Sequence, residues 1–233
     1  MNLSYCEFKN SIQLIIDSMI VKNEKKKTED KMSFASIKIA IICILIFMLQ
    51  LIYPNLTNEF ALSREHVLIH PWILITYMFL HGSVQHIFYN MFALVMFGLI
   101  LESIIKSRNF LIVYFLSGII SGIISLFFYN SVIGASGAIF GIIGCLTTLR
   151  PKITVIAFGV PMPIIIASAM WIFLDIVGII YPDNIAHMGH ISGFAFGLIA
   201  GLILRKYFSS IRKREKSHIN DQEIEDWENK WME

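Results

Sequence analysis

The stretch IAHMGHISGFAFGLIAGLIL, residues 185–204, contains no Asp, Glu, Lys or Arg. It carries His187 and His190 ahead of glycines at 193, 197 and 201. A run of about 20 mostly apolar residues is long enough to cross the hydrocarbon core of a bilayer as a helix. Glycines four residues apart line one helical face, the kind of face on which a second membrane helix can approach closely. A matching stripe, Gly137, Gly141 and Gly144, follows Ser136 in SGAIFGIIGCLTTL, residues 136–149. The two segments are expected to pack along these stripes, and the polar residues that open them are expected to meet.

Outward from this pair, four more apolar segments complete a set of six: 37–53, 84–101, 110–129 and 163–180 join 136–149 and 185–204. Composition agrees. Of 233 residues, 56% are apolar and 15% charged, against about 25% charged in a soluble domain. A disordered chain and a disulfide scaffold are excluded. Of the 19 lysines and arginines, all but Lys38 and Arg64 lie before the first segment, between the second and third, between the fourth and fifth, or after the sixth. Basic residues mark the cytoplasmic face. The expected fold is an all-α membrane protein, a six-transmembrane-helix bundle with cytoplasmic N- and C-termini and the lipid bilayer as its solvent.

The expected organisation is a cytoplasmic N-terminal region, 1–35, a membrane domain, 36–206, and a cytoplasmic charged tail, 207–233. Segment 37–53 does not read as a secretory signal, because a long mixed stretch precedes it and no small-residue cleavage site follows. Cys6, Cys43 and Cys145 lack metal spacing and read as free thiols. The connection 55–80 is expected to lie in the interface or re-enter, with Trp72 and Tyr77 as anchors. The apolar stretch 155–162 has no assigned role.

Polar groups inside a bilayer are costly and mark candidate sites. The set is short: His86, Asn90, Ser136, Asp175, His187 and His190. His86 and Asn90 are four residues apart, so both point the same way from one helix. They could serve as interhelical glue or as hydrogen-bond donors to a reacting group. Ser136, between Gly134 and Gly137, could cap its helix or act as a nucleophile beside backbone N–H groups and a positive helix end. His190 lies close to the glycine stripe of its helix and deeper than His187, which favours it as the partner of Ser136. A serine hydroxyl needs a base to become a nucleophile. No acidic residue is evidently placed to orient the histidine, so a dyad is expected. Asp175 either bonds a neighbouring helix or meets water.

These residues resemble the rhomboid intramembrane serine proteases. His86-Ile-Phe-Tyr-Asn90 looks like the family's HxxxN, Gly134-Ala-Ser136-Gly137 like its GxSG, and His190-Ile-Ser-Gly193-Phe-Ala-Phe-Gly197 like its HxxGxxxG. Gly98 to Glu102 resembles the cytoplasmic end of the family's second helix, and the likeness runs from about residue 66 to 204. The resemblance implies a six-helix rhomboid-like bundle and an intramembrane serine endopeptidase. Ser136 would be nucleophile and His190 general base. His86, Asn90 and the Ser136 N–H would bind the oxyanion, with Gly134, Gly137 and Phe140 supporting the site. Substrates would be single-span membrane proteins cut in or near the span. The chain would be a multi-pass protein of the cell membrane, its site opening to the extracytoplasmic side. His81 is read as structural or supporting the oxyanion donors.

Two rival expectations stand beside this one. The first is a catalytically inactive rhomboid-like factor that binds membrane proteins. The second is a metal or proton site built from His81, His86, His187 and His190, which lacks an HExxH motif and a carboxylate on these helices. No metal, no cofactor and no nucleic-acid partner is expected.

Overall fold

The computed structural model describes residues 33–181 and 183–231, with residues 212–231 described as a backbone path alone. The expected N-terminal region, 1–35, therefore lies almost wholly outside the described residues. Helix α1, Ala35–Ile52, is followed by a short α2, Asn55–Phe60, a strand β1, Leu62–Ser63, and the single turn α3, Ile73–Thr76. Helix α4, Val84–Ser125, follows, then β2, Ser131–Val132, which pairs antiparallel with β1. Helix α5, Ser136–Leu149, leads through a hairpin of β3, Thr154–Ala157, and β4, Val160–Pro163, to α6, Ile164–Ile180, and α7, His187–Trp231.

Among the described residues, three helical stretches are long and apolar enough to cross a membrane: Ala35–Ile52, Val84–Ser125 and His187–Ile211. Two shorter apolar helices, Ser136–Leu149 and Ile164–Ile180, complete the bundle. Helix α4 has 42 residues and leaves helical geometry at Lys106, with φ 67° and ψ 159°. It is thus two arms, 84–105 and 107–125, where the sequence predicts its second and third segments. Large apolar side chains stay exposed on outer faces, among them Ile41, Leu45, Phe88, Phe173 and Ile203. Such a surface suits lipid contact.

The break in α4 is organised by one carboxylate. Glu102 is fully buried. Its oxygens accept from the N–H groups of Ala35 (2.8 Å) and Ser36 (3.1 Å) and from the hydroxyls of Ser36 (3.0 Å) and Ser107 (2.6 Å). The first N–H groups of any helix lack intrahelical partners. Here Glu102 satisfies those of α1 and ties the two arms of α4 across the bend.

Helices α5 and α7 form the most extensive pairing. A Cβ added to Gly193 would collide with the Gly137 carbonyl, and one on Gly197 with the Gly141 carbonyl. A Cβ on Gly144 would meet the Phe194 carbonyl. The backbones therefore touch along the two glycine stripes, as the sequence predicts. The same glycines also admit the second arm of α4, with Ser121 facing Gly137 and Ser117 facing Gly141.

One local expectation changes, and two segments without an assigned secondary structure gain one. Tyr77 is not an interfacial anchor: it is buried, and its hydroxyl donates to the Gly118 carbonyl at 2.6 Å. Trp72 does remain half-exposed. The stretch 155–162 is the β3–β4 hairpin, turned at Phe158 (φ 53°) and Gly159 (φ 80°). The segment after residue 204 continues α7 as helix to Trp231.

Glu102→Ala strips an acceptor from two buried N–H groups. It is expected to lower stability by about 2–3 kcal/mol, read as a fall in the thermal or denaturant midpoint in detergent. Gly197→Ala places a methyl against the Gly141 carbonyl. Overpacking of this kind costs about 1–3 kcal/mol, and the variant is expected to unfold earlier than wild type in the same assay.

Candidate functional site

Helix α5 begins where the chain turns out of β2. Gly134 holds φ +120° and donates its N–H to the Tyr77 carbonyl at 2.9 Å. Left-handed backbone of this kind is where glycine is favoured. Ala135 then stands ahead of the helix, and no side chain caps it. Ser136 is the first helical residue, so its hydroxyl is not spent as a cap. Its Oγ lies 2.8 Å from His190 Nε2.

His190 sits in the first turn of α7. The close α5–α7 contact brings it to Ser136, and three neighbours fix its ring. Phe140, one turn beyond Ser136, stacks on it with centroids 4.4 Å apart and planes 6° apart. Ser136 meets Nε2. Asp175 of α6 meets Nδ1, with its Oδ1 at 2.9 Å.

This last contact corrects the sequence expectation that no carboxylate is placed near the histidine. Asp175 is buried, and its Oδ1 also accepts from His187 Nδ1 at 2.7 Å. The available signal was its position, an acidic residue alone in an apolar segment. Missing was the rotation of α6 about its axis, which no spacing rule supplies. His187 is turned away from Ser136, with its Nε2 3.0 Å from Asp183 Oδ1 and its ring against Gly178.

His86 and Asn90 approach the same spot from the first arm of α4. Ser83 caps that arm, its Oγ accepting from the His86 N–H at 3.1 Å. His86 Nδ1 accepts from the Gly82 N–H at 3.4 Å. That assigns the ring proton to Nε2, the atom that faces Gly134. A Cβ on Gly134 would stand 2.8 Å from His86 Nε2 and 3.7 Å from Asn90 Nδ2. Asn90 Nδ2 is buried and has no partner among the described residues. Two side-chain donors thus converge on the backbone that leads into Ser136. Buried donors are rarely left unpaired without a reason.

His81 supports this pair. Its ring meets His86 edge-on with centroids 5.0 Å apart. Burial pulls its pKa down to about 3, so it approaches as a neutral ring. Gln50 of α1 clamps its backbone, accepting from the N–H at 3.0 Å and donating to the carbonyl at 3.2 Å.

The four histidines form two pairs, His81 with His86 and His187 with His190. Asp175, His187 and His190 offer ligand atoms within 4.8 Å of one another, so the carboxylate that the metal reading lacked is present. Asp175 is already hydrogen-bonded to each of the two histidines. A cleft of about 440 Å³ between α6 and α7 is lined by this cluster together with Phe140, Trp171 and Tyr181.

The family model described as Rhomboid domain matches residues 69–207. Rhomboid protease GluP of Bacillus subtilis is 30% identical over 205 residues, 80% of this chain and 39% of GluP. RHOMBOID-like protein 4 of Arabidopsis thaliana is 31% identical over 61% of this chain and 37% of its own length. The chain thus spans well under half of these two relatives. The Putative rhomboid protease YdcA of Bacillus subtilis is 30% identical, with 63% of this chain and 71% of YdcA aligned. The Inactive RHOMBOID-like protein 8 of Arabidopsis thaliana is 29% identical over 40% of this chain. With the family's domain covering more than half of its length, on apolar helices that suit a membrane, this chain belongs to the rhomboid family.

Proposed function

We propose that the chain is an intramembrane serine endopeptidase that cleaves single-span membrane proteins in or near the span. The observation that carries this reading is the 2.8 Å contact between Ser136 Oγ and His190 Nε2. The protease names of GluP and YdcA support it. The inactive relative keeps a second reading in view, a binding factor without chemistry.

In the proposed reaction Ser136 Oγ attacks the scissile carbonyl carbon as its proton passes to His190 Nε2. The oxyanion so formed meets His86 Nε2–H, Asn90 Nδ2–H and the Ser136 N–H. The C–N bond then breaks, and His190 returns the proton to the leaving amine. Water, activated by the same imidazole, releases the acyl group from Ser136. Phe140 holds the imidazole plane, while Gly134 and Gly137 let the loop and helices close around the serine.

The two arms of α4, together with α1, α5, α6 and α7, make six crossings in this proposal. Both termini are cytoplasmic in the cell membrane. Ser136, at the end of α5 opposite Arg150, opens to the extracytoplasmic side. The distribution of basic residues supports this orientation.

Purified protein in lipid vesicles is expected to cleave a generic single-span substrate. Ser136→Ala and His190→Ala are expected to abolish cleavage with the thermal midpoint little changed. Cleavage is expected to survive a strong chelator, and loss in chelator would favour a metal reaction. Absence of cleavage by folded wild type across a substrate panel would favour the binding factor. Removing one oxyanion donor typically costs about 10²–10³-fold in rate. His86→Ala and Asn90→Ala are expected to lower kcat toward that range while leaving Ser136 in place.

A further inference from the structure

Asp175 stands in the outer half of α6, in WIFLDIVGII, residues 171–180. Phe173, Leu174, Ile176, Ile179 and Ile180 of this half are exposed, and Asp175 is its one buried residue. Its side chain is 7% exposed. A carboxylate held among apolar groups needs strong partners, and here they are the two histidines that open α7. One oxygen, Oδ1, takes both Nδ1–H groups. The other, Oδ2, is buried and unpartnered among the described residues.

We infer that Asp175 is a positioning residue for His190, so that the working unit of this protease is a Ser136–His190–Asp175 chain in place of a dyad. The inference rests on the proposed function. A neutral imidazole carries its proton on one of two nitrogens, and the partner of one nitrogen decides the state of the other. With Nδ1–H donated to Asp175, Nε2 presents its lone pair to the Ser136 hydroxyl. Phe140 fixes the plane of the ring but leaves it free to exchange its two nitrogens by a flip. Asp175 removes that freedom. The carboxylate also lies beside the imidazolium that forms when the serine proton is taken, where an opposite charge favours it. The ionisable groups facing His190 are Asp175 from α6, His187 on its own helix and His86 from α4. Asp183 lies beyond His187, and Tyr181 lines the same cleft.

His187 shares the same oxygen but has no route to Ser136. Its ring fills the space beside Gly178. It secures the outer half of α6 to α7 and keeps Asp175 in place.

The rival to this inference is that Asp175 is only interhelical glue. Kinetics and spectroscopy separate the two. In lipid vesicles, Asp175→Asn is expected to lower kcat by about 10²–10⁴-fold. KM should stay within about threefold and the thermal midpoint near wild type. Asp175→Glu should restore part of the loss, and His187→Gln should stay within about tenfold of wild type. Unchanged or raised kcat in Asp175→Asn would overturn the inference, because a mere latch, once cut, frees access to the site. Should Asp175→Asn fail to fold, the tautomer of His190 decides. Nitrogen-15 spectra of folded Ser136→Ala protein are expected to show Nδ1 protonated, with a hydrogen-bonded proton far downfield. A bare Nδ1 would overturn the inference. Retained cleavage by Ser136→Ala would instead sink the protease reading, and the spectra would still report on Asp175.

Discussion

Contact of backbone with backbone is the constraint on which this structure depends. Where α5 and α7 cross, no side chain intervenes: Gly193 and Gly197 lie against the carbonyls of Gly137 and Gly141. In a bilayer there is no gain from hiding apolar surface, so helices associate through such close packing and through polar contacts. The first turn of each helix holds one member of the serine–histidine pair. Their 2.8 Å separation is a property of the glycine register. Everything else at the site, Phe140 on one face of the imidazole and His86 and Asn90 over Gly134, is arranged around that fixed pair.

The polar interior follows one rule at several depths. Several buried polar groups in the apolar bundle meet a defined partner on another element. Glu102 holds the start of α1, Gln50 holds the His81 backbone, Ser121 donates to the Gly189 carbonyl at 2.8 Å, and Asp175 holds two histidines. The unpartnered groups are as informative. Of the six such atoms among the described residues, Asn90 Nδ2 and Asp175 Oδ2 lie at the site, where a reacting group would change the accounting.

Much of this was legible in the residues. The stripes 137–141–144 and 193–197–201 predict the α5–α7 contact, because spacing along one helix defines a face and small faces find each other. The start of α5 at Ser136 and its end at Leu149 follow from Gly134 and from Arg150-Pro151. The preference for His190 over His187 follows from its angle to the stripe. The break at Lys106 was legible only as a gap between apolar segments, since helical propensity alone carries α4 through it. Tyr77 misled because an aromatic in a connection reads as an interfacial anchor, while its hydroxyl found a carbonyl inside. Asp175 was visible as an anomaly but not as a partner. Spacing along a helix says which residues share a face, and it says nothing about which way a loosely packed helix turns that face.

The carboxylate at residue 102 also bears on the order of events during synthesis. The N–H groups it satisfies belong to Ala35 and Ser36, and Glu102 follows Ala35 by 67 residues. At about 5–20 residues per second, several seconds separate the two on the ribosome. Through that interval the leading turn of α1 lacks the carboxylate that accepts from it in the folded chain. When Glu102 arrives, the same side chain closes the start of α1 and the bend before Ser107. The start of α1 is thus locked only after the first arm of α4 is made, and the start of α1 and the bend at Lys106 must end on the same side of the bilayer.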